Sequence, residues 1–239
     1  MNKTNIADYF KERFPLVNML LFAILFMTVH SVAGYFSVSN SNEVFKIALG
    51  IIATVSFFFR LRVFDEIKDF KIDAINHPGR VLQSGRVSLK QLIIISVVLS
   101  IFEISWSILC GYPTLLCWLL ALAYSILMRY EFFIGDFLKK RLILYACTHM
   151  LVMPLIILWI WSGFYDEVLQ HPALYILAAL SLTGGFSFEI ARKIHVADAE
   201  RPTVDSYSKS IGFWPAIICV LTLLFAGILI QSYLLYLIE

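Results

Sequence analysis

Charge is what this sequence has least of. Only 15% of its 239 residues are Asp, Glu, Lys or Arg, while 60% are hydrophobic, and the mean hydropathy is +0.81. Soluble domains carry about 25% charge and about 45–50% apolar residues, so a soluble globular class is excluded. The long apolar runs indicate a multi-spanning membrane protein. The net charge of +2 bears no sign of a nucleic-acid partner, and none is expected. Cysteine is also scarce. Cys110, Cys117, Cys147 and Cys219 lie in or beside apolar segments without metal-like spacing, which reads as packing. No linker, low-complexity tract or short-period repeat divides the chain, so one domain over residues 1–239 is expected. Met1–Arg13 is polar and the first apolar run is long enough to span, so no cleavable signal peptide is expected.

Apolar runs predict seven spans: Leu16–Ser37, Val44–Phe59, Gln91–Cys110, Pro113–Met128, Leu142–Phe164, Ala173–Ala191 and Phe213–Ile238. The second is short at its apolar core, and an extension through Arg62 stays open. With seven spans, 18 of the 19 Lys and Arg residues fall on the side of the N-terminus, and only Lys46 falls opposite. The positive-inside rule then predicts a cytoplasmic N-terminus.

The residual charge is concentrated. Arg60–Ser88 holds Asp65, Glu66, Asp69 and Asp73 together with Arg60, Arg62, Lys68, Lys71, Arg80 and Arg86. Glu66, Asp69 and Asp73 are spaced i, i+3, i+7, one face of a helix. Like charges on one face repel, an arrangement that suits a hard cation such as Mg2+ among them. The plain alternative is a solvated helix with pairs such as Arg62–Glu66. Glu103 lies at mid-depth in the third span, where a carboxylate costs about 2.5–3.5 kcal/mol on insertion scales. It reads either as an acceptor-binding or proton-taking group or as an interhelical bond, and both stay open. Lys11-Glu12-Arg13-Phe14-Pro15 reads as an interfacial lead-in to the first span.

The run Asp65-Glu66-Ile67-Lys68-Asp69-Phe70-Lys71-Ile72-Asp73 resembles the first aspartate-rich motif of the UbiA-type intramembrane prenyltransferases, N-D-x-x-D-x-x-x-D. Asp65 stands where Asn is usual, and Glu66 where Asp is. His77-Pro78-Gly79-Arg80 through Gln83-Ser84-Gly85-Arg86-Val87-Ser88 resembles the segment that follows it in that family. Lys139-Lys140-Arg141 resembles its Y-x-x-x-K-R element, with Asp136 in place of Tyr. Around Phe188–Glu200 the family carries its second acidic motif. Here Glu189 takes the first acidic place and Lys193 stands where the second is expected, with Asp198 and Glu200 further on. Asp205–Gly212 resembles the segment that closes that loop.

The resemblance implies an all-α, polytopic, UbiA-like transmembrane bundle of about seven spans. It implies Mg2+-dependent transfer of a prenyl group from a prenyl diphosphate to an aromatic or other lipophilic acceptor within the membrane, in a bacterial inner membrane. Asp65, Glu66, Asp69, Asp73, Glu189, Asp198 and Glu200 are the implied metal ligands. Arg80, Arg86, Lys140, Arg141, Arg192 and Lys193 are the implied diphosphate contacts, and Asp69, Asp73 and Glu103 are candidates for catalysis. The family usually has nine spans, so closure of the cavity by lipid or by a second copy in a homo-oligomer is expected. Intramolecular cyclisation and a non-catalytic membrane binding or transport role are the alternatives.

Overall fold

The structure is a computed structural model describing residues 6–37, 44–200 and 205–239. Lys3, Arg201 and Pro202, which entered the charge count or the second acidic stretch, lie outside the described residues. The described residues form helices joined by turns and loops, without strands. Among the described residues, seven stretches are long and apolar enough to cross a membrane: Leu16–Phe36, Val44–Asn76, Leu89–Cys110, Tyr112–Arg129, Leu142–Trp161, Pro172–Ala191 and Phe213–Ile238. Their outward faces carry large apolar side chains such as Leu21, Ile24, Val97, Ile101, Ile218 and Leu221, as a lipid-facing surface requires.

The chain divides into two compact units, Met1–Trp118 and Leu119–Glu239. In the first, a short helix α1 (Ile6–Arg13) leads through Pro15 into α2 (Leu16–Phe36). Then comes α3 (Val44–Asn76), at 33 residues far longer than its apolar core. Hydropathy places the apolar core of this span at Val44–Phe59, with an extension as far as Arg62 at most. The helix continues because Arg60–Asn76 contains no Gly or Pro and is rich in helix-forming residues. The next breakers are Pro78 and Gly79. Ser88 starts α4 (Leu89–Cys110) with a reciprocal capping box to Gln91. Gly111, at φ 111°, permits the turn into α5 (Tyr112–Arg129).

The core of this unit is aromatic. Phe22 stacks on Phe58 with centroids 3.7 Å apart, and Phe14 meets Phe59 edge-on. Gly50 lets Phe26 and Trp106 approach α3, since a Cβ there would lie 2.3 Å from Phe26 Cζ.

In the second unit, α5 ends in a turn, Glu131–Phe133, whose three residues all have positive φ. Then follow α6 (Gly135–Lys139), α7 (Leu142–Met150) and α8 (Val152–Trp161). The single fifth helix expected from hydropathy is therefore interrupted at Leu151. Pro154 explains it: its ring has no amide hydrogen and crowds the carbonyl of Met150. The chain continues through α9 (Pro172–Ala191), α10 (Tyr207–Ile211) and α11 (Phe213–Ile238). α9 runs unbroken through Gly184-Gly185. Gly185 there faces Met150 and Met153, where a Cβ would lie 3.1 Å from Met150 Sδ.

Candidate active site

The acidic residues of the first unit occupy the polar end of α3. Glu66 is buried to 1% exposure, and a buried carboxylate requires charged or hydrogen-bonding partners. It has three. Arg62, one turn back, donates from Nη2 and Nε to Glu66 Oε1 at 2.7 and 3.1 Å. Arg13 Nε donates to the same oxygen at 2.8 Å, and the Tyr9 hydroxyl approaches it at 3.4 Å. Burial first, and then the Glu66 carboxylate, push the Tyr9 phenol up from its ordinary range.

Asp73 accepts from Arg80 at 2.5 Å and lies 3.8 Å from Arg13. Asp65, about half exposed, pairs with Lys68 at 3.4 Å, and Asp69 is half-buried. Helix α1 thus lies along this motif, and Glu12 also accepts the backbone N–H of Val81 at 3.2 Å. Arg86 is exposed and folds back on Ser84 Oγ and Gly79 O. Sequence reading missed the part of Tyr9, Glu12 and Arg13. The available signal was the excess of acid on one helix face, which demands cations from somewhere.

Deeper in the same unit, Glu103 of α4 is wholly buried. Its Oε2 accepts from Arg60 Nη1 at 2.5 Å and from Trp118 Nε1 at 2.9 Å. Arg60 also donates to Ser100 Oγ at 3.3 Å and lies over the Phe57 ring. The interhelical bond is therefore present, and its partners are Arg60 and Trp118.

In the second unit, Glu189 is buried at the end of α9. It accepts from Arg192 at one oxygen and from Lys193 at the other, the latter at 2.8 Å. Lys193 also lies toward the Tyr145 ring. Tyr207 is buried nearby, and its phenol is pushed up, by burial first and then by Glu189. Glu200 is engaged elsewhere, accepting from Ser206 at 2.7 Å and facing Lys209 at 3.6 Å. Asp198 is exposed on a single turn, Ala197–Ala199. Lys140 and Arg141 are exposed, and Arg141 is turned onto Phe137. Lys139 pairs with Glu131 at 3.0 Å. His149 is buried, stacked on Tyr145 with its Nδ1 against the Tyr145 carbonyl. Neither acidic set forms a group of three or more metal-ligating side chains among the described residues.

Residues 20–239 match the profile of the UbiA prenyltransferase family. The chain belongs to that family. Among curated proteins no sequence matches. Among solved structures, the UbiA chain is similar to one reported under "Structural and mechanistic insights into the biosynthesis of Digeranylgeranylglyceryl phosphate synthase in membranes". That likeness has a TM-score of 0.64 and 18% identity, covering 99% of this chain and 79% of the other. At that identity it shows a shared fold. The protein is thus an integral, multi-pass UbiA-family membrane protein of the prenyltransferase type.

UbiA enzymes generally use a divalent metal. Among the described residues there is no closed carboxylate cage for one. It does offer Glu66 Oε2, a buried oxygen with no hydrogen-bond partner among the described residues, and the half-buried Asp69 on the same face. That donor set suits Mg2+ held by one or two carboxylates together with substrate phosphates.

Proposed function

We propose that this protein transfers a prenyl group from a prenyl diphosphate to a lipophilic acceptor within the membrane, with Mg2+ bound jointly by diphosphate and protein. The observation that carries this reading is the polar end of α3, where Glu66 and Asp73 are framed by Arg13, Arg62 and Arg80. The guanidinium groups of Arg13, Arg62 and Arg80 offset Glu66 and Asp73, and together with Mg2+ at the remaining carboxylates the cluster suits a phosphate anion. Glu66 Oε2 and Asp69 are the oxygens proposed for Mg2+, with the exposed Asp65 beside them as a further carboxylate. When bound, the ion neutralises the leaving diphosphate.

In the reaction, the C–O bond between the prenyl carbon and the diphosphate breaks and its electron pair leaves with the diphosphate. The acceptor forms a bond to that carbon and releases a proton. The buried apolar helices keep water from the electron-poor prenyl carbon. In the second unit, Arg192 and Lys193 are proposed to contact phosphate oxygens, with Glu189 orienting both. We place the N-terminus and both charged stretches on the cytoplasmic side from the Lys and Arg distribution, treat the chain as one functional domain, and propose membrane lipid and a second copy of the chain as its partners.

The test is purified protein with Mg2+, a labelled prenyl diphosphate and a panel of acceptors. Pyrophosphate release with a prenylated acceptor is the expected result. Release with a hydrocarbon or alcohol product would identify a cyclase. No release under any condition would overturn the enzymatic reading in favour of a binding component.

A further inference from the structure

We propose that Arg60 and Glu103 form a seat for the hydroxyl group of the lipid-soluble acceptor; this rests on the prenyl-transfer reading above. Both side chains are more than nine-tenths buried, at 4% and 0% exposure. Their mutual contact uses only one atom of each, Arg60 Nη1 and Glu103 Oε2. Ser100 and Trp118 add their bonds to those same two atoms. Arg60 Nε, Arg60 Nη2 and Glu103 Oε1 have no hydrogen-bond partner among the described residues. Buried polar atoms of native proteins are nearly always paired, and an unpaired charged one is especially unfavourable.

The chemistry of these atoms selects the ligand. Arg60 offers donors and Glu103 offers an acceptor, so the matching group must both accept and donate. An anion would be repelled by Glu103, and an ammonium by Arg60. An apolar group would leave all three atoms unsatisfied. A hydroxyl has one donor and two acceptor lone pairs. The pair sits inside spans Val44–Asn76 and Leu89–Cys110, where a group of this kind comes from a buried water or from a lipid-soluble molecule; we commit to the latter, and the ether comparison below separates the two. Along α3, Arg60 precedes Glu66 by six residues, about 9 Å at 1.5 Å per residue. The same six-residue offset turns Arg60 about a third of a turn round the helix from Glu66, so the seat lies deeper in the span than the acidic motif and on a neighbouring face, against α4.

Phenols and glycerol-type alcohols share this chemistry, and the experiment separates them. Binding to the full-length protein in detergent is followed by tryptophan fluorescence, since Trp118 bonds directly to Glu103. The probes are an alkylated naphthalenediol and a 1-O-alkylglycerol, each against its fully O-methylated counterpart. At least one hydroxyl probe should bind about tenfold or more tightly than its methyl ether, as hydrogen bonds to charged groups require. Which probe does so identifies the acceptor class. The double variant Arg60→Met/Glu103→Leu replaces the buried pair by apolar groups of similar size, a change that proteins often tolerate. It should bind hydroxyl and ether probes equally.

Equal binding of hydroxyl and ether by the wild type, or discrimination that survives in the double variant, would overturn the seat and leave the pair as a helix staple. Wild-type protein that discriminates between the probes yet releases no pyrophosphate would sink the transfer reading instead. The two failures are thus told apart.

Discussion

Arg13 of the first helix donates from Nε to Glu66 Oε1 at 2.8 Å, across 53 residues of chain. This contact makes the N-terminal helix part of the acidic motif as well as a lead-in to the first span. Glu66 stays anchored by Arg62 when Arg13 is removed. The variant Arg13→Ala is therefore expected to fold, with a loss of about 1.5–3 kcal/mol for a charge-assisted bond. Thermal melting in detergent measures that loss. The KM for prenyl diphosphate is expected to rise about tenfold or more, because the guanidinium also faces the proposed phosphate position. An unchanged KM would confine Arg13 to a structural role.

Asp69 shares the helix face of Glu66 and Asp73 and is half-buried at the polar end of α3. Asp69→Asn is expected to lower turnover at least about a hundredfold while moving stability by less than about 1 kcal/mol, as for polar substitutions outside the core. Steady-state kinetics and melting curves of the same preparation separate the two effects. Near-normal turnover would remove Asp69 from the proposed metal ligands.

Glu189 has both oxygens engaged, one by Arg192 and one by Lys193. Arg192→Ala should weaken prenyl diphosphate binding roughly ten- to a hundredfold and leave the Mg2+ dependence of the rate almost unchanged. Glu189→Gln should release both cations and lower the melting temperature. If it also weakens the response to Mg2+, Glu189 is a metal ligand as well as an anchor. If neither variant alters substrate or Mg2+ dependence, this segment is no half of an active site.

Asp166 is exposed in the connection between α8 and α9. With a cytoplasmic N-terminus, a cysteine placed there should react with a membrane-impermeant thiol reagent from the outer face of intact cells. Reaction only after the inner face is opened would reverse the topology.

Much of this architecture is a local property of the chain. Hydropathy over about 20 residues decides whether a segment spans, and the seven spans follow from it. The sidedness of Lys and Arg supports the proposed orientation by the same kind of local sum. The i, i+3, i+7 spacing of Glu66, Asp69 and Asp73 is local as well, so the motif was legible as a helix face. Pro154 marked a break in the fifth span that hydropathy averages away.

The tertiary structure alone decided who partners the buried charges. Arg60 reaches Glu103 across 43 residues, and Arg13 reaches Glu66 across 53. Periodicity names the face on which a side chain lies, but the partner depends on which helices pack together and at what register. It also decided that α3 runs on to Asn76, carrying the acidic residues against α1. Hydropathy reports only where apolar sequence stops, whereas a helix ends where its hydrogen bonds can no longer be continued.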